Sequence, residues 1–126
     1  FGLPARSCAF ELDLDALIAL FSDEPLQVKP VSTYPAAKED LALVVANDLP
    51  VSRVEQVIRQ AAGALIEDLS LFDVYEGDQV PEEFRSLAFS LRLRASDHSL
   101  TPDEVQKVRA DVIAKTEKVL GATLRG

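Results

Sequence analysis

The residues at 86–94 place small and then cationic side chains along one side of an expected strand. Ser86, Ala88, Ser90, Arg92 and Arg94 occupy every second position, and the positions between them are leucine or phenylalanine. In a strand, residues of one parity point to one face of the sheet. Small side chains let another backbone approach closely, and arginine favours phosphates and base faces. The pattern predicts an open sheet face suited to single-stranded RNA.

Tyr75 ends a second expected strand, which would bring its ring to the rim of the same face. A flat ring there offers a base a stacking partner, worth about 1–3 kcal/mol per base. From the pattern alone, a rim tyrosine that packs on the loop at 77–84 is the alternative, and both interpretations stay open. For Arg85, Arg92 and Arg94 the alternative to phosphate or base contact is pairing with surface carboxylates.

Catalytic chemistry finds little support in the sequence. Asp73 and Glu76 are carboxylates near Tyr75, but no nucleophile or metal-ligand set accompanies them. His98 is the sole histidine and Cys8 the sole cysteine, so the chain offers neither a zinc set nor a catalytic triad. No glycine-rich phosphate loop is present. We therefore expect no catalytic residue and no metal site, and we expect His98 in a surface turn.

The formal charge of −8 argues against broad nucleic-acid binding, because such binding depends on neutralising phosphates. Segment 36–97 carries six basic and twelve acidic residues, whereas 98–126 carries five and four. Binding to RNA then requires that the basic groups cluster on one face, or that other domains supply most of the affinity. The basic residues expected in one patch on or beside the open face are Lys38, Arg85, Arg92 and Arg94.

The length of 126 residues fits one ordinary domain with an appended arm. Cys8 has no partner for an internal disulfide, which suits a reducing cytosol. No apolar run approaches the roughly 20 residues that span a bilayer, and no signal peptide is visible. Because the chain starts at Phe1 and contains no methionine, we interpret it as an excised piece of a longer protein.

Residues 1–30 form the expected arm, with a short strand at 9–14 and a short helix at 15–21. Residues 24–35 contain three prolines and are expected to be an extended linker. The remainder follows the order strand, helix, strand, strand, helix, strand. Its expected bounds are 40–45, 50–62, 66–75, 86–95, 102–120 and 122–125. This order predicts a ferredoxin-like α+β fold, a four-stranded antiparallel sheet with two helices on one face.

Alternation and helical periodicity predict which side chains form the core. The residues expected to be buried include Leu43, Leu87, Phe89, Leu91, Val57, Ile58, Val108 and Val112. In the second strand, Phe72 and Val74 are expected to face the core, and Tyr75 to face out. Leu69 and Leu71 have the opposite parity, which suggests a bulge or a partly apolar open face. The residues expected on the helix-free face are Ala42, Val44, Tyr75, Ser86, Ala88, Ser90, Arg92 and Arg94.

A series of short motifs falls in order over about residues 34–126. They are Tyr34-Pro35-Ala36, Asp40-Leu41-Ala42, Phe72-Asp73-Val74-Tyr75-Glu76-Gly77, Ser86-Leu87-Ala88-Phe89, Leu100-Thr101 and Leu124-Arg125. Each is weak alone, but together, at this spacing, they are specific. On them the chain resembles the ferredoxin-fold anticodon-binding domain at the C-terminus of the bacterial-type phenylalanyl-tRNA synthetase β chain. The resemblance implies that 36–126 is this domain and that 1–30 is the tail of the preceding synthetase-like domain.

The resemblance also implies a function. The domain would bind the anticodon stem-loop of tRNA(Phe), and aminoacylation with ATP and magnesium would occur on the α subunit of a cytoplasmic (αβ)₂ enzyme. Tyr75 would stack on an anticodon base flanked by Ala42 and Ser86, and the fragment itself would hold no cofactor. The expected RNA-binding residues are Ala42, Tyr75, Ser86, Arg85, Ser90, Arg92, Arg94 and Lys38. The family usually carries two basic residues where this chain has Lys38 and Glu39, so one positive charge is lost.

Two other functions fit the same fold. One is a regulatory module that binds a small molecule, although such modules usually carry glycines at their ligand loops and Gly77 alone is poor support. The other is a structural domain that binds a protein through its open sheet, which the acidic charge favours. A titration of the fragment with RNA at low salt separates the three.

Overall fold

The structure is a computed structural model that describes residues 2, 4, 6–20 and 32–125. Its contacts divide the chain into two units, Phe1–Val31 and Ser32–Gly126. Within the described residues, no helix is both long enough and apolar enough to cross a bilayer. The expected linker lies mostly outside the described residues, as does the expected end of the first helix at residue 21.

The first unit contains one short helix, α1, at Leu14–Ala19. Asp13 is its N-cap, and the Asp13 carboxylate accepts hydrogen bonds from the backbone N–H groups of Asp15 and Ala16, both at 3.1 Å. The prediction of a strand at 9–14 is wrong. Residues 9–13 take no strand conformation, and Leu14 already belongs to the helix. The aspartate cap favours helical winding at the point where the alternation suggested extension.

The second unit contains the four strands and two long helices expected from the sequence. They are β1 at Ala37–Ala46, α2 at Val51–Ala62, β2 at Ile66–Tyr75, β3 at Phe84–Leu93, α3 at Pro102–Leu120 and β4 at Thr123–Leu124. The strands form one sheet in the order β2-β3-β1-β4, in which every pair is antiparallel. The ferredoxin-like fold predicted from the element order is confirmed.

Local chemistry explains where α3 begins and ends. Thr101 and Glu104 form a capping box in which each side chain accepts a hydrogen bond from the other residue's backbone N–H. Pro102 takes the first helical position, where no N–H is needed. Gly121 ends the helix in the left-handed conformation with φ 64°, which a residue without Cβ adopts at little cost.

Both helices pack on one face of the sheet, over a single core. The buried residues of this core include Leu41, Leu43, Val45, Val54, Ile58, Leu87, Phe89, Leu91, Leu93, Val105, Val108 and Val112. The eight residues that alternation and periodicity predict to be buried, from Leu43 to Val112, are all buried. The opposite face of β2, β3 and β1 carries no helix of this unit.

A bulge in β2 changes the direction of one large side chain. Leu71 pairs with Phe89 and Asp73 pairs with Ala88, the next residue of β3, so Phe72 is an extra residue in β2. The expectation that Phe72 faces the core is wrong. Its side chain is 60% exposed and borders a groove on the helix-free face.

The same bulge places the other apolar residues of β2 on the helix side. Leu69 and Leu71 pair with core residues of β3, and Val74 pairs with buried Leu87. Val74 therefore points to the expected side, although it stays exposed on this edge strand. The opposite parity of Leu69 and Val74 in the sequence is the signature of the extra residue between them.

Candidate nucleic-acid interface

The helix-free face of β2, β3 and β1 consists of four rows of paired residues. From one end to the other, the rows are Tyr75–Ser86–Val44, Asp73–Ala88–Ala42, Ser70–Ser90–Asp40 and Asp68–Arg92–Lys38. The first two rows combine Tyr75 and Val44 with three small residues, and Asp73 is their one charged member. The last row is charged throughout. The structure therefore brings Ala42, Tyr75 and Ser86 together at one end, whereas Lys38 and Arg92 lie at the other.

The ring of Tyr75 is contacted from two directions. The Arg125 guanidinium carbon lies 4.5 Å from the ring centroid, and Arg125 also donates a hydrogen bond of 2.6 Å to the side-chain oxygen of Gln79. The loop after β2 approaches the hydroxyl so closely that a Cβ on Gly77 would lie 2.6 Å from the Tyr75 hydroxyl oxygen. Tyr75 therefore packs on the loop after β2, as one of the two interpretations of the sequence expected, and the Arg125 guanidinium lies over its ring.

Ser86 faces the open side of the sheet and yet is only 3% exposed. Tyr75 belongs to the edge strand β2, while Arg125 follows β4 at the other edge, where its N–H donates to the Ala42 carbonyl at 2.9 Å. Because these two side chains meet, they must lie over β3 and β1, the strands that carry Ser86 and Ala42. The contact between Tyr75 and Arg125 therefore accounts for the burial of Ser86.

Arg92 and Arg94 share one carboxylate at the charged end of the face. The Nε atom of Arg92 lies 2.7 Å from one Glu67 oxygen, and that of Arg94 lies 2.9 Å from the other. Arg94 also donates to the carbonyl oxygen of Tyr34, and its side chain is 16% exposed, against 56% for Arg92. Arg94 anchors the chain that enters β1, and Arg92 is the more accessible of these two arginines.

Arg85 lies on the other side of the sheet. It pairs with Val45, which is 1% exposed in the core under the helices. Its Nη2 donates a hydrogen bond of 2.9 Å to the Leu49 carbonyl in the connection between β1 and α2. The expectation that Arg85 shares one basic patch on or beside the open face is wrong, because its position in β3 has the same parity as the buried Leu87.

Glu39, at a position where the resemblance leads us to expect a basic residue, also faces the helix side. It pairs with Leu91 of the core and makes an ion pair of 3.0 Å with Arg109 of α3. A basic residue at this position would lie on the helix side, so its absence does not reduce the positive charge of the open face. Its structural consequence is a bridge between β1 and α3.

The charge on the open face is mixed. Lys38 and Arg92 share their end of the face with Asp40, Asp68 and the paired Glu67. A single basic patch with the acids elsewhere, as the sequence suggested, is not what the structure shows. Contacts to phosphates need an excess of positive charge, so this face is better suited to the neutral parts of a nucleic acid.

His98 lies in the turn before α3 and joins it to the helix cap. Its Nδ1 is 2.7 Å from the Asp97 carboxylate, and its Nε2 is 3.0 Å from the Glu104 carboxylate. The hydrogen bond to Asp97, followed by that to Glu104, raises the pKa of His98. The hydrogen bonds from Thr101, first that of its backbone N–H, lower the pKa of Glu104 to about 2. Among the described residues, no set of three or more histidine, cysteine, aspartate or glutamate side chains is arranged so that it could hold a metal ion.

The part of the chain that carries this face matches a known protein family. The sequence model described as ferredoxin-fold anticodon binding domain matches residues 32–125. The chain belongs to this family. As a ferredoxin-fold anticodon-binding domain, it carries the open face of β2, β3 and β1 on the part of the sequence that the family model covers.

Bacterial relatives extend the similarity over the whole chain. It is 46% identical over 124 residues to the phenylalanine–tRNA ligase β subunit of Cutibacterium acnes, covering 98% of this chain. It is 44% identical over 126 residues to the same subunit of Thermobifida fusca, covering 100%, and 46% identical over 125 residues to that of Nocardia farcinica, covering 99%. The chain spans 15% of the length of each of these relatives.

Sequence reasoning missed two residues of this face. Arg125 belongs to a motif of the resemblance, but nothing in the pattern indicated that its side chain reaches Tyr75. Phe72 was assigned to the core, although the parity change between Leu71 and Val74 was the signal that an extra residue lay between them.

Proposed function

We propose that the open face of residues 32–125 binds the anticodon stem-loop of tRNA(Phe), as part of a phenylalanine–tRNA ligase β subunit. The observation that carries the proposal is the position of Tyr75 on the helix-free face, in the row of Ser86 and next to the row of Ala42. The membership of the chain in a family of anticodon-binding domains, and its similarity to phenylalanine–tRNA ligase β subunits, support it.

Stacking on Tyr75 is the central interaction of this proposal. A base that takes the place of Arg125 on the ring exchanges a cation–π contact of about 0.5–1 kcal/mol for a stack of about 1–3 kcal/mol. If the guanidinium finds no new partner, the exchange gains between about 0 and 2.5 kcal/mol. Ala42 and Ser86 would lie beneath the stacked base. The small side chain of Ala42 leaves room for it, and the Ser86 hydroxyl can donate or accept one hydrogen bond.

The mixed charge of the face favours base contacts over phosphate contacts in this proposal. Ser90 and Arg92 lie in the rows beyond Ala88, and Lys38 and Arg94 border the same groove. They would contact the loop beyond the stacked base. The rest of the affinity for tRNA would come from other parts of the parent enzyme, since a face with balanced charge gains little from phosphates.

The role of this chain in the parent enzyme would be positional. Aminoacylation with ATP and magnesium would take place on the α subunit of a cytoplasmic (αβ)₂ assembly, and this chain would hold neither cofactor. Fixing the anticodon restricts where the distant acceptor end lies, which is an entropic contribution to the reaction. Residues 1–30 would be the tail of the preceding domain of the same subunit.

A titration of the 126-residue chain at low salt tests the proposal. A fluorescent anticodon stem-loop of tRNA(Phe) should bind more tightly than a stem-loop with the same stem and a scrambled loop. The same pair should be compared as competitors in aminoacylation by the assembled ligase, because the isolated chain gains little from phosphates. Equal behaviour of the two loops in both assays would overturn the assignment and favour a protein-binding role for the open sheet.

A further inference from the structure

A groove of about 680 Å³ lies on the open face beside, rather than under, the Tyr75–Arg125 contact. Its walls include Phe72, Ser70, Ser90, Asp40, Lys38 and Arg92. A volume of this size lies within the range of sites that hold small organic groups, about 300–1,000 Å³. The groove is therefore large enough for one unpaired nucleobase and its ribose.

The aromatic wall of the groove exists because β2 contains an extra residue. In a regular strand, residue 72 would pair with a residue of β3. The bulge leaves Phe72 without a pairing partner between Leu71 and Asp73. Phe72 is 60% exposed, so most of its ring gains nothing from burial in this unit. A phenylalanine that a bulge directs into a groove is better explained by what the groove binds than by folding.

The polar groups around Phe72 match a base better than a phosphate. Lys38 and Arg92 are balanced by Asp40 and Asp68, and the Glu67 carboxylate lies 2.7 Å from Arg92. A phosphate would be repelled by the carboxylates. A neutral base carries both donors and acceptors on its edge, so a carboxylate can accept from its amino group while a guanidinium donates to its carbonyl or ring nitrogen.

We propose that Phe72 is a second base-stacking residue of this face, which holds an unpaired nucleotide of the same RNA loop that Tyr75 binds. The inference rests on the proposed function and adds a separate subsite to it. Tyr75 lies three residue steps beyond Phe72 along β2, a distance of about 10 Å at roughly 3.3 Å per residue. That distance is about three stacked nucleotide steps of roughly 3.4 Å, so one loop reaches both rings.

The test uses anticodon stem-loops of tRNA(Phe) that carry 2-aminopurine at one loop position at a time. Stacking on an aromatic ring quenches this base, so each ring should be reported by a different loop position. Phe72→Leu keeps an apolar side chain but removes the ring. It should abolish the quench at one position, leave the Tyr75-dependent quench in place, and weaken binding about 5- to 150-fold. Phe72→Trp should restore both the quench and the affinity.

Phe10→Leu is the matched control, since Phe10 is 88% exposed and lies in the other unit. It should change neither signal. If Tyr75→Ala weakens binding while Phe72→Leu behaves like wild type, the Phe72 subsite is wrong and the proposed function stands. If neither variant changes binding, the proposed function fails as well. If Phe72→Leu loosens assembly of the ligase and leaves RNA binding unchanged, Phe72 binds protein and the subsite is overturned.

Discussion

The guanidinium of Arg125 lies over the ring of Tyr75, 4.5 Å from its centroid, although the two residues belong to opposite edges of the sheet. Three strand spacings separate those edges, about 14 Å at roughly 4.8 Å each. Both side chains must therefore extend across the open face to meet. The ring expected to receive a base is already partly engaged by a group of the same chain.

This contact predicts an energetic coupling between Arg125 and Tyr75. Arg125→Leu and Tyr75→Ala should each lower the free energy of unfolding, and the double variant should lower it by less than their sum. The expected coupling is about 0.5–1 kcal/mol, the value of a cation–π pair near the surface. Urea unfolding of the four proteins measures it. Additive losses would show that the two side chains are not in contact in solution.

Tyr75→Ala should weaken the use of tRNA by about 1–3 kcal/mol, because one stack is lost. Tyr75→Phe should cost much less, since it keeps the ring face. The measurement is kcat/KM for tRNA in the assembled ligase, with a thermal melt of each variant to exclude misfolding. A Tyr75→Ala variant that melts normally and charges tRNA like wild type would remove the stacking role.

Arg85→Ala should reduce stability without reducing RNA binding. The hydrogen bond of 2.9 Å from Arg85 to the Leu49 carbonyl involves a charged donor, and such bonds contribute about 1.5–3 kcal/mol. Arg92→Ala is the matched control. Its ion pair is exposed, so it should cost less than about 1 kcal/mol of stability, yet it should weaken RNA binding.

Urea midpoints and stem-loop titrations of the folded variants separate the two effects. If Arg85→Ala weakens RNA binding while fully folded, Arg85 contacts RNA and its assignment to the helix side does not describe its role. If Arg92→Ala leaves RNA binding intact, the more accessible arginine of the open face has no part in recognition.

Much of the fold followed from the sequence because its signals are local. The Thr101–Glu104 capping box and Gly121 define α3, and alternation from Leu87 to Leu93 defines the core face of β3. Strict alternation leaves one register in which these residues are buried. Parity also placed Ala42, Tyr75 and Ser86 on the open face, whereas the proximity of Ser86 to Tyr75 was implied only by the resemblance.

The errors have equally specific causes. Phe72 was assigned to the core because parity was counted back from Tyr75 through a bulge, and one extra residue reverses every direction beyond it. Arg85 was placed by its charge in a basic patch on or beside the open face, although its parity matches that of Leu87. The reach of Arg125 to Tyr75 could not be predicted, since it depends on the conformations of two long side chains from different strands.

The turn before α3 predicts that stability depends on pH. The pKa of His98 is raised by its contacts with Asp97 and Glu104, so its contribution is complete below the unfolded pKa near 6.5. That contribution is lost as the pH rises through the raised pKa. The pKa of Glu104 is lowered to about 2, so its contribution is present above pH 4.5 and is lost as the pH falls towards 2.

Thermal melts between pH 3 and pH 9 measure both effects. His98→Gln should remove the loss of stability on the alkaline side and leave the acid side in place. Glu104→Gln should flatten the acid side, because the amide keeps the size of the side chain but does not titrate. An alkaline loss of the same size in His98→Gln would assign it to another group.

Ala42→Leu should block RNA binding without unfolding the domain. Ala42 pairs with Ala88 on the open face, and its carbonyl accepts the N–H of Arg125 through backbone atoms that the substitution keeps. The added carbons would project into the space under the Tyr75–Arg125 contact, where the flank of a stacked base is expected. Binding should fall by about the value of the lost stack, 1–3 kcal/mol. Stability should change by no more than about 1 kcal/mol, the value of the Tyr75–Arg125 contact beside the leucine.

Ala114→Leu supplies the same chemical change on the exposed side of α3, away from the open face. It should leave stem-loop binding unchanged, so a loss specific to Ala42→Leu identifies the space above Ala42 as part of the site. Equal binding by both variants, with melts like that of wild type, would mean that no base comes close to Ala42. A lower melting temperature for Ala42→Leu alone would instead mean that the leucine displaces the Tyr75–Arg125 contact, and the Arg125→Leu variant then shows how much of the loss that contact explains.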